Sequence, residues 1–152
     1  FSSEEKNAPP VESINHEISK LEQGKQKDEP PTKKKLLLLH MQRSWHSVKR
    51  KLWAEAIQDW QRILDIDPTH NRAKNNLIYA YITLGYSYAQ HGLLSEAVDL
   101  WEKSLRMNPD NLPVIHNLAI ATERLPKPEL AEKYWAETLK RWKAMLDQDP
   151  DN

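Results

Sequence analysis

The sequence contains no cysteine, three glycines and a single phenylalanine. Without cysteine there is no disulfide framework, no thiolate zinc site and no cysteine nucleophile. The lack of it carries no information on the redox compartment. Scarce glycine argues against glycine-rich phosphate loops and against all-β folds with many tight turns. No sign of charge dominates: 22 Lys and Arg balance 22 Asp and Glu, so no net field steers the chain toward nucleic acid or membrane. Long hydrophobic runs are missing too. Residues 36–39, four leucines, form the longest aliphatic stretch, far short of the ~20 residues that cross a bilayer.

What is present is a chain of 152 residues, long enough for one domain with its own core. Its first part differs from the rest. Residues 1–35 hold four of the ten prolines (Pro9, Pro10, Pro30 and Pro31), with charges of both signs and few hydrophobes. Ile14, Ile18 and Leu21 have helical spacing, but a helix over about 11–23 is too short to stand alone. The expectation is a mostly disordered, charged, Pro-containing linker or tail over 1–35, followed by a folded domain over 36–152. The sequence starts at Phe1 rather than Met and stops at what reads as a unit boundary, so an excised domain of a longer protein is expected.

From residue 36 onward apolar residues recur three and four apart, the helical period. A longer period lies over it. Ala56, Ala97 and Ala131 each precede a tryptophan by four residues: Trp60, Trp101 and Trp135. Pro68 and Pro109 follow the first two alanines by twelve, each in an acidic or amide turn. Alanine is small where two helices cross closely, and an aromatic one turn later on the same face fills the adjacent space. Proline then ends the unit, because it cannot continue a helix interior. One helical hairpin is repeated.

This pattern resembles the tetratricopeptide repeat, a 34-residue helix–turn–helix unit. Residues 78–111 carry the likeness best, through Tyr81, Leu84, Gly85, Tyr88, Gly92, Leu94, Ala97, Trp101 and Pro109; Ser104 departs where alanine is usual. The third unit keeps Leu118, Ala119, Ala131 and Trp135 but replaces the glycine turn with Leu125-Pro126-Lys127-Pro128. The first keeps only its second helix, through Trp53, Ala56, Trp60, Ile63 and Pro68. The resemblance implies an all-α fold, a right-handed superhelical stack of helical hairpins in units 37–70, 71–111 and 112–150. The interval from Ala56 to Ala97 is 41 residues, seven more than the repeat, which places nearly two extra turns at 71–77. A similar lengthening predicts a final helix over 128–146. In the first unit, strict phasing would turn His40, Arg43, Ser44 and Ser47 inward, a costly burial. A hairpin turn one residue longer would instead bury Leu38, Met41, Trp45, Val48 and Leu52, and that register is the one expected.

The resemblance also implies a concave groove lined by the first helix of each unit. Its expected residues are Tyr79, Ile82, Tyr86 and Gln90, then His116, Asn117, Ile120, Glu123 and Arg124, with Gln42, His46 and Lys49 from the longer-turn first unit. Aromatics mixed with amides suit a peptide or helix of a partner protein. The same residues, Tyr79, Ile82 and Tyr86 above all, could equally serve packing. Some family members clamp chaperone C-terminal carboxylates with lysines, an asparagine and an arginine. Here those places hold Met41 and Trp45 (or Gln42 and His46), Thr83, Pro113 and Asn117, so that binding is not expected.

Two further surfaces compete with the groove. Trp142, Met145 and Leu146 lie beyond the usual repeat end and form a stripe suited to self-association, giving a homo-oligomer. Residues 33–51 carry seven Lys and Arg, two His and no acid, a basic helix that could touch anionic lipid or nucleic acid. Its apolar stripe is claimed by the repeat core, so a solvated face is favoured, and nucleic-acid and membrane partners are not expected. No two of the six histidines are spaced i,i+4, and no nucleotide loop or nucleophile elbow occurs. The acid pairs Asp65/Asp67 and Asp147/Asp149 fall in repeat-end turns. No enzyme activity, metal or cofactor is expected, and a cytoplasmic or membrane-tethered location would fit equally.

Overall fold

The structure, a computed structural model, describes residues 1–148. The Asp149-Pro150 turn expected to close the last unit lies outside them. Eight helices and no strand are found among the described residues: α1 (Ser3–Lys6), α2 (Val11–Gln23), α3 (Pro30–Lys49), α4 (Trp53–Ile66), α5 (Asn71–Gln90), α6 (Leu94–Met107), α7 (Leu112–Arg124) and α8 (Pro128–Gln148). The chain forms two compact units, Phe1–Leu77 and the part from Ile78 onward.

In the first unit α3 and α4 make a hairpin, closed where Ala56, Trp60 and Ile63 are buried. The segment expected to be disordered is helical. α2 lays Ile14 and Ile18 against Leu36 and Leu39 of α3, with Ala8, Leu21 and Ile66 at the margin. The helical stripe in 11–23 is too weak to fold alone, and the leucine run supplies the apolar partner it lacks. α1 is docked as well. Arg72 Nη2 donates to Glu5 Oε2 at 2.6 Å, and the Ser2 backbone N–H donates to the same oxygen at 2.6 Å. Burial works against the charge on Glu5, but the guanidinium and the Ser2 N–H prevail and hold its carboxyl below the usual range.

The register of the first hairpin corrects the expected longer turn. Leu52 N–H donates to Ser47 O and Lys51 N–H to Val48 O, both at 2.9 Å. Forty-one residues on, Leu93 N–H donates to Tyr88 O at 2.9 Å and Gly92 N–H to Ala89 O at 3.1 Å. Both are the same helix-ending motif with a left-handed residue: Gly92 at φ 77° and Lys51 at φ 59°. Strict phasing therefore holds, and His40, Ser44 and Ser47 are buried while Leu38, Trp45, Val48 and Leu52 are only half-buried. Of the expected apolar stripe, Met41 alone is fully inside.

Burial of His40 is compensated at its Nδ1, while its Nε2 has no hydrogen-bond partner. Asp59 of α4, 2% exposed, accepts from His40 Nδ1 at 2.8 Å and from Arg43 Nη2 at 2.7 Å. His40 Nε2 faces Glu22 Oε1 of α2 at 3.9 Å. The corresponding positions 41 residues later hold Tyr81, Leu84 and Leu100. One hairpin thus fills with a hydrogen-bonded polar triad the space that the next fills with hydrocarbon and a phenol.

The second unit has a continuous apolar core. Ala97, Val98 and Trp101 of α6 meet Val114, Ile115, Leu118, Ala119 and Ala121 of α7 and Tyr134 of α8. Asn111 Oδ1 caps α7 by accepting from Val114 N–H at 3.2 Å. His70 Nδ1 does the same for Ala73 N–H at 3.1 Å, again 41 residues earlier. α5 starts at Asn71, where the extra turns were expected, and α8 runs two residues past the expected end.

Candidate functional site

The face expected to bind a partner lies in the second unit, on α5 and α7. Its residues recur three and four apart along each helix, which keeps them on one side. Tyr86 and Asn117 are brought together: Asn117 Nδ2 donates to Tyr86 Oη at 2.5 Å. The Tyr86 ring meets Trp101 edge-on, with centroids 5.3 Å apart. Trp101 is fixed in turn by its indole N–H, which donates to Ile82 O at 3.3 Å. Tyr86 therefore stands on a buried indole, with its hydroxyl held from the neighbouring helix, yet remains 41% exposed.

Tyr79 lies one to two turns earlier on α5 and is 61% exposed. Ile82 is half-buried against the apolar core, and Ile120 is half-buried as well. Gln90 and Arg124 are exposed near the ends of their helices. His116 sits between two indoles, 5.5 Å from Trp135 and 5.3 Å from Trp142. Glu123 Oε2 accepts from Trp135 Nε1 at 3.3 Å. Repeat spacing puts Trp101 and Trp135 in the core, but it carries no sign that Trp101 is the platform for Tyr86, or that Trp142 lies against His116 of α7. The spacing of seven between Trp135 and Trp142 was the available signal, since it puts both indoles on one face of α8.

The first-unit residues assigned to the groove are placed differently. Gln42 is buried, and its Nε2 donates to Glu4 O at 3.2 Å. His46 Nε2 donates to Pro9 O at 2.8 Å, and Lys49 Nζ lies 5.7 Å from the Trp45 ring centre. The basic stretch 33–51 is partly engaged: Lys35 pairs with Glu17, and Arg43 with Asp59.

The polar groups on the α5/α7 face include phenols, two amides, an imidazole and a guanidinium. They can donate to and accept from a peptide backbone and offer flat apolar area. No group of three or more His, Asp or Glu able to hold a metal occurs among the described residues. Likewise, no described helix is long and apolar enough to cross a membrane.

Residues 78–111 match the family model of the tetratricopeptide repeat, so this stretch, α5 from Ile78 through α6, is one such repeat. Solved structures similar to this chain include the following two. BtubC (BKLC) from P. vanneervenii is 18% identical with a TM-score of 0.44, over 95% of this chain and 59% of that one. MamA is 18% identical with a TM-score of 0.43, over 90% of this chain and 92% of that one. The chain therefore spans less than two thirds of the length of BtubC. No curated protein matches the sequence. Repeats of this kind are generally non-catalytic scaffolds for protein–protein interaction, and residues 78–111 carry one of them.

Proposed function

We propose that this chain binds a peptide or helical segment of a partner protein on the α5/α7 face, through Tyr79, Ile82, Tyr86, Gln90, His116, Asn117, Ile120 and Arg124. The observation that carries the reading is the Tyr86–Asn117 bridge on the Trp101 platform. A tyrosine held at both ring and hydroxyl loses little side-chain freedom on binding, which is what an interface anchor needs. The carboxylate-clamp binding of some family members stays outside this reading, because the clamp's cations are missing. The test is capture of partners by the immobilised chain, compared with Tyr79→Ala/Tyr86→Ala. Loss of two anchors at roughly 2 kcal/mol each should lower capture at least tenfold. Helicity by circular dichroism should be unchanged, and Asp99→Ala on the exposed side of α6 should bind normally. Undiminished capture by the double variant would overturn the reading.

A second reading, self-association through α8, is favoured by the exposure of Trp142, Met145 and Leu146 (40, 59 and 60%). Leu139, at 59%, extends the same helix face.

A further inference from the structure

Residues 1–10 lie on the first hairpin the way a peptide lies on a receptor. Four contacts of different kinds hold them. The Phe1 ring rests 5.0 Å from Trp45 and 6.5 Å from Trp60. The Glu4 carbonyl accepts from Gln42, and the Pro9 carbonyl from His46. The Glu5 carboxylate, 3% exposed, takes the Arg72 guanidinium.

The repeat itself identifies the covered face. Trp45 occupies, 41 residues earlier, the position of Tyr86, and Trp60 that of Trp101. In the later hairpin these two aromatics meet each other at 5.3 Å and leave Tyr86 exposed. In the earlier one, the ring of Phe1 sits on both. The first-hairpin counterpart of the exposed Tyr86 surface is already filled, by this chain's own segment.

The segment has little structure of its own. α1 is four residues long, below the length at which a helix holds itself. Ala8-Pro9-Pro10 joins it to α2, and its two prolines donate no backbone hydrogen bond. It is held by the four contacts above, two of them from partly exposed partners, Arg72 and His46, and by Ala8 at the margin of the α2/α3 cluster. Elements held by so few groups open before the core does.

We infer that residues 1–10 are a displaceable ligand held in cis, and that the face formed by Trp45, Trp60, Gln42, His46 and Arg72 takes a partner segment presenting an aromatic residue followed four residues later by a carboxylate. The ring enters against the two indoles and the carboxylate takes Arg72, as Phe1 and Glu5 do. A short tether gives the cis segment a millimolar effective concentration, so a competitor must exceed that or bind better. This inference concerns the first unit and stands whether or not the α5/α7 face binds a partner.

The probe is a synthetic peptide of residues 1–10 labelled at its C-terminus, followed by fluorescence anisotropy against the full chain. Phe1→Ala/Glu5→Ala, which frees the face, should bind it saturably, and the unmodified chain at least tenfold more weakly. Adding Arg72→Glu to the freed chain should weaken binding at least tenfold again. In the unmodified chain, hydrogen exchange should show α1 amides exchanging at least tenfold faster than those of α3 and α4. Equal affinity of the freed and unmodified chains, or no saturable binding to a freed chain of native helicity, overturns the inference. So does exchange of α1 only together with α3 and α4, or failure of the freed variant to fold, since either makes the segment a fixed part of the core.

Discussion

Gly85 shows how one residue sets the geometry of the α5/α7 face. Its φ is ordinary for a helix, and its need for glycine comes from across the hairpin. A Cβ there would lie 2.5 Å from Trp101 Nε1 and 2.7 Å from Cδ1. An indole packed on its flat side cannot swing away as a flexible chain end can. Gly85→Ala gains about 0.5–1 kcal/mol of helix propensity. It also forces Trp101 off its contact with Ile82 O, an overpacking cost of about 1–3 kcal/mol. The net expectation is a loss of about 1 kcal/mol, read as a lower urea midpoint at unchanged m-value. The first hairpin bounds the effect, since Ser44 stands at the equivalent position and is fully buried. A Cβ is therefore compatible with the hairpin once the indole has moved. A midpoint equal to or above that of the unmodified chain would mean that Trp101 has no need of the gap.

At the scale of the helix pair, the two hairpins solve one packing problem with opposite chemistry. Asp59, His40 and Arg43 fill the positions of Leu100, Tyr81 and Leu84. Removing only the acid strands an imidazole beside Glu22 and leaves a guanidinium half-desolvated. Asp59→Leu alone should cost about 3–5 kcal/mol. The exchange of all three, His40→Tyr/Arg43→Leu/Asp59→Leu, should restore stability or exceed it, because apolar groups of matched volume need no desolvation. Urea unfolding of both variants decides it, and a triple variant no more stable than the single one would refute the equivalence. The triad also marks the limit of what the sequence disclosed. The Ala–Trp spacing, the extra turns at 71–77 and the long α8 follow from periodicity and were legible. The register of α3 was not, because periodicity counts hydrophobes and assigns a polar stripe to solvent. An acid on the inner face of α4, where the next repeat has Leu100, was the sign that a cation would come inward to meet it. The α5/α7 face was half legible for a similar reason. Helical spacing found Tyr86 and Asn117, while the bridge between them and the Trp101 platform depend on how close two helices approach.

The N-terminal segment escaped the sequence reading at the scale of the whole molecule. Its hydrophobes are few and their partners, Leu36, Leu39, Trp45 and Trp60, lie about fifteen to sixty residues away, beyond any local pattern. That long-range pairing covers the first hairpin, whereas α8 ends the described chain with Leu139, Met145 and Leu146 exposed. The charge balance gives two copies no mutual repulsion to keep them apart, since 22 positive groups meet 22 negative ones. Burying an exposed methionine and leucine from each copy releases apolar area from water without ordering any loop. The expected outcome is concentration-dependent association in sedimentation equilibrium. Met145→Glu/Leu146→Glu places two acids in the stripe and should return the chain to monomer. Trp142 is left untouched in this variant, because its ring also packs on His116 and its loss would perturb the second unit itself. Association that survives the double substitution would assign it to another surface, and a strict monomer at high concentration would leave the α8 stripe without a role in self-assembly.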